Sequence, residues 1–68
     1  MIEVLEAERR VAECNALIER QRRVIEALRE KDTDTTSAQI VFDSLCLSLS
    51  MLVKDRHRLS AARKNRAA

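Results

Sequence analysis

Val4, Val11, Ile18 and Ile25 stand seven residues apart, and Ala7, Cys14, Gln21 and Leu28 follow three behind each. A β-branched column at one heptad position and a mostly apolar column at the next mark a helix that packs a seam against another helix. Leu17 and Val24 lie beside the first column and widen the stripe. The remaining faces carry Glu and Arg. Glu6–Arg10 and Glu19–Arg23 have the i, i+4 spacing of helix-surface ion pairs worth about 0.2–0.5 kcal/mol each. The chain contains no Gly and no Pro, which argues against β-hairpins and Gly-rich phosphate loops.

The heptad stops at residues 32–36. Asp32, Thr33, Asp34, Thr35 and Thr36 all compete with a helical backbone for hydrogen bonds. Thr36 with Gln39 three residues on fits a capping box that opens a second helix. Arg29 and Lys31 suit the negative end of the first helix and Asp34 the positive end of the second. This predicts helices over about 2–31 and 36–64, a turn at 32–35, and a frayed basic tail to 68. A gap of this length suits an antiparallel helix pair. The alternative is one continuous rod in a parallel coiled coil. Carrying the first column on by sevens gives Asp32, Gln39, Cys46 and Val53, which is a poor seam.

On the second helix, Ala38, Val41, Phe42, Leu45, Leu49, Leu52 and Leu59 share one face. Folding evenly about residue 33.5 sets Ile25 level with Phe42, Ile18 with Leu49, Val11 with Arg56 and Val4 with Arg63. It also sets Cys14 level with Val53 and Gln21 with Cys46, an offset of about 10 Å that keeps the two cysteines from an intrachain disulfide. The stretch 45–53, LCLSLSMLV, is apolar on more than one side. Ile40, Leu47 and Met51 lie nearly opposite the inward face, with Cys46 and Val53 between. A helix that is apolar all round is buried all round. A chain of 68 residues buries little surface alone. The fold expected is therefore all-α: an antiparallel hairpin of two helices of about 30 residues, assembling into a homo-oligomeric four-helix bundle through Ile40, Cys46, Leu47, Met51 and Val53.

Chemistry finds little footing in this sequence. His57 has Val, Lys, Ser and Ala at positions i±4 and i±3, which completes no metal site. Ser44, Ser48, Ser50 and Ser60 have no base at helical spacing. The Thr/Asp cluster at 33–37 reads as capping rather than phosphate binding. Phe42 is the only aromatic residue, so no stacking platform for bases exists. The expectation is no catalysis, no cofactor and no metal. The run 38–53 is short for a membrane span, and the first ten residues lack the basic start of a signal peptide, so a cytoplasmic protein without membrane contact is expected.

Charge is uneven. Residues 54–68 carry Lys54, Arg56, Arg58, Arg63, Lys64 and Arg66 against Asp55, and the whole chain is only +2. Those six side chains could contact an anion, and a nucleic-acid-associated protein is the alternative function. Helix-dipole complementarity and pairing with Glu3, Glu6 and Glu8 account for the same charges. The main expectation is an interaction, scaffold or regulatory protein that partners itself or another helical protein.

Four short motifs resemble a family of small alphaproteobacterial proteins. They are the ERRVAE stretch Glu8–Glu13, the pattern of Ile18 with Arg20 and Gln21, the Asp34-Thr35 turn, and Asp55, Arg56, Arg58 and Leu59. The likeness covers about residues 8–59. Similar proteins often have Gly just before the Asp-Thr turn and His where this chain has Leu or Met. The resemblance implies a helical hairpin and brings no activity or site residues with it.

Overall fold

A computed structural model describes residues 2–67, and for residues 2, 63 and 65–67 the backbone alone. Helix α1 spans Ile2–Glu30 and α2 spans Thr36–Ala67. They fold back on one another as a hairpin 56 Å long and 14 Å across. The continuous rod is thereby excluded. Helix α2 runs past residue 64, where a frayed tail is expected, because Ala, Arg and Lys are strong helix formers.

The reversal is made without glycine. Thr33 N donates to Leu28 O at 2.9 Å, and Asp32 N donates to Arg29 O at 3.0 Å. These paired bonds form a Schellman motif, which needs a left-handed residue at its centre. Asp32 occupies that place with φ of 54°. Aspartate tolerates the region better than most residues. The start of α2 corrects the expected capping box. Gln39 N bonds Thr35 O at 2.8 Å, so Thr35, not Thr36, is the half-in residue. Asp34 Oδ1 accepts from Thr36 N at 3.0 Å and from Thr36 Oγ1 at 2.7 Å. With Asp34 already holding both donors of Thr36, the Thr36 hydroxyl does not serve as the cap. These bonds hold the Asp34 carboxyl below its ordinary pKa, the side-chain bond contributing most.

The core lies on the heptad seam of α1. Val4, Ala7, Val11, Cys14, Ile18 and Ile25 are buried. Facing them, α2 turns Ala38, Phe42, Leu45, Leu49, Leu52, Arg56 and Leu59 inward, spaced alternately by four and three. Helix α2 thus has its own heptad, in a frame the break has shifted. Val41, expected on this face, is 48% exposed because it flanks the seam rather than sitting in it.

The register also differs from an even fold. Gln21 Nε2 donates to Ala38 O at 3.0 Å, and Cys14 Sγ approaches Leu45 O at 3.5 Å. Both carbonyls lie nearer the bend than Cys46 and Val53, the residues expected to be level. Ile25 and Phe42 nevertheless line one shallow groove, as expected. Side chains of α1 lean toward its N-terminus and so away from the bend. The displacement is therefore a shift of α2 along α1 and not an effect of side-chain lean.

Candidate interaction surface

Two grooves define the flanks of the hairpin. One holds Glu3, Glu6, Ala7 and Arg10 of α1 with Asp55, Arg58 and Leu59 of α2. The other holds Arg22, Ile25, Glu26 and Arg29 with Gln39 and Phe42. Stepping by heptads from Arg10 reaches Leu17 and Val24, and stepping back from Asp55 reaches Ser48 and Val41. Leu17, Val24 and Val41 therefore share the first flank. Each is more than two-fifths exposed. Continuing round α2 on that side come Ser44, Met51, Ile40 and Leu47.

Ile40, Leu47 and Met51 are 61%, 65% and 65% exposed. Together with the flank they make one broad apolar strip, which a separate groove lined by Ser48, Met51, Leu52 and Asp55 borders. From sequence, Ile40, Leu47 and Met51 are expected on this surface, whereas Leu17 and Val24 are expected to widen the α1 stripe and Val41 to face inward. The signal that finds them is the antiparallel flank rule: residues just before the seam on one helix meet their counterparts on the other.

Cys46 and Val53, grouped with this surface in the sequence reading, lie on the opposite flank with Gln39. Cys46 is exposed and Val53 half-buried. Cys14 is buried, and both thiols are free. On the second flank the Arg22 guanidinium stands 5.8 Å from the centre of the Phe42 ring, a cation–π contact at the mouth of the core. Arg22 also meets Glu19 at 3.7 Å, taking the partner expected for Arg23.

Arg56 is half-buried on the inward side, Lys54 and Lys64 are exposed, and Arg58 is bonded to Asp55. At 100° per residue Lys54, Arg58 and Lys64 fall within an arc of about 120° on the outer side of α2, and Arg56 stands apart from them. The side chains of Arg63 and Arg66 lie outside the described set. His57 is exposed, and among the described residues no group of His, Cys, Asp and Glu could hold a metal ion. Residues Thr36–Ala62 of α2 are long and apolar enough to cross a membrane by length and composition, although the run read as apolar in the sequence is shorter. Compared with family models, curated proteins and solved structures, the chain matches none.

Proposed function

We propose that this chain is a non-catalytic helical interaction module of the cytoplasm whose working form contains more than one copy. One observation carries the reading. Among the described residues every buried apolar side chain belongs to α1, while Phe42, Leu45, Leu49 and Leu52 of α2 are only half-buried and Ile40, Leu47 and Met51 stand more than 60% exposed. A single hairpin leaves α2 half-covered, and a second helical layer supplies the missing cover. Burying Ile40, Leu47 and Met51 contributes about 1.5–3 kcal/mol each before the cost of association. Folding and assembly are then coupled. Its role follows from this: a scaffold or regulator working through helix faces. Replacing Leu47→Arg together with Met51→Glu tests it. Sedimentation of the double variant gives a lower mass than the parent, and an unchanged mass refutes the surface.

A membrane reading has one observation behind it, the apolar length of Thr36–Ala62. Insertion of α2 alone would strip Val4, Val11, Ile18 and Ile25 of their cover and expose them on a charged helix. The bundle keeps both apolar layers dry. Flotation with anionic vesicles separates the two, and the bundle stays at the bottom of the gradient.

A further inference from the structure

The occupant of the apolar strip follows from the charge along the hairpin, given the self-association reading above. The bend third, residues 26–43, holds five acidic and two basic residues, net −3. The open third, residues 1–13 with 54–68, holds eight basic and five acidic residues, net +3. The middle, residues 14–25 with 44–53, holds three basic and one acidic residue, net +2. The molecule is thus a rod with ends of opposite sign and an apolar strip on the bend-side half of α2, its Leu47 and Met51 lying in the middle third. Side by side in the same direction, two copies set like charges together at both ends. In opposite directions, each +3 end lies against a −3 end, and Leu47 and Met51 of the two copies still meet.

We propose that the middle of this strip, Leu17, Leu47 and Met51, receives the same residues of a second copy, with the two hairpins antiparallel about a two-fold axis level with Ser48, so that Ile40 and Val41 of each copy lie level with His57 and Arg56 of the other. The groove beside Ser48, Met51, Leu52 and Asp55 receives Leu47 of the other copy, and the same contact repeats across the axis. Ser44 and Ser48 are small and exposed, which lets the backbones of the two α2 helices approach. At the rim, Asp43 of one copy faces Lys54 of the other. Both side chains are exposed, and their positions are symmetric about the axis.

Two measurements decide it. In a Cys46→Ser background, with that background as the control for labelling of buried Cys14, Ala61→Cys carries a spin label on the exposed side of α2. Antiparallel copies place the two labels about 40 Å apart, since each lies some 13 residues from the axis. Labels within about 20 Å, in a species of dimer mass, overturn the orientation and leave self-association standing. A single-chain mass with no label–label distance overturns both, and assigns the strip to a foreign protein or a lipid surface. Separately, Asp43→Lys and Lys54→Asp each weaken the dimer about twofold to fivefold, and the double exchange restores it. No rescue in the double exchange overturns the predicted pairing.

Discussion

Gln21 reaches across from α1 to donate its side-chain amide to Ala38 O at 3.0 Å, one heptad along each helix from the contact of Cys14 with Leu45 O. The two contacts tie one helix to the other at a fixed height. A polar residue on a seam fixes register at a cost in stability. Gln21→Leu gives up a hydrogen bond worth about 1 kcal/mol and gains apolar burial of about 1.5–3 kcal/mol. Its thermal midpoint should rise by roughly 4–8 °C in a circular-dichroism melt. A fall would mean that the amide bond outweighs the apolar gain.

Asp32 pays a conformational cost that glycine does not. At φ of 54° an L-residue loses about 1–2 kcal/mol, partly returned by its stiffer unfolded chain. Asp32→Gly should stabilise the hairpin by about 0.5–1 kcal/mol, read from urea melts. Asp32→Val should destabilise it, since a β-branched side chain is a poor occupant of that region.

Asp34 makes the bend sensitive to acid. Its pKa is lowered in the folded chain from an ordinary value of 3.8, so it favours the folded state above that value. The contribution fades as pH falls through the lower, folded value. Asp34→Ala should therefore melt below the parent at neutral pH, and the gap should narrow at the acid end of the range. A gap that stays constant down to the most acidic point would remove the charge from the explanation.

Ile18 and Leu47 are buried in different ways. Ile18 is 6% exposed within one chain, and Ile18→Ala should cost about 2–4 kcal/mol. Leu47 is 65% exposed within one chain, so a Leu47→Ala cost above about 1 kcal/mol comes from contact between copies. With folding coupled to assembly, the thermal midpoint of the parent should fall on hundredfold dilution. A midpoint independent of concentration, with a Leu47→Ala cost near zero, would leave Leu47 in water.

The α1 seam was fully legible, because a seven-residue column of β-branched residues has few readings other than a packed helix. Ile40, Leu47 and Met51 were legible as a second face for the same reason of periodicity. Three features were not. Val41 lies close to the inward line by angle alone, and only the packed pair shows that the line leaves it on the flank. The bend held several competent caps in a row, so sequence could not decide which of Asp34, Thr35 and Thr36 takes the role. Asp32 gave no sign of its left-handed backbone, because aspartate adopts that region only occasionally. The flank shared by Leu17, Val24 and Val41 needed the antiparallel pairing itself, which joins residues from two helices.

Light scattering of the wild-type chain in dilute buffer bears most directly on all of this. The account predicts at least twice the 7.8 kDa chain mass, in a species that loses helix as it dissociates. A stable, fully helical particle of 7.8 kDa, with Leu47 and Met51 in water, would contradict it.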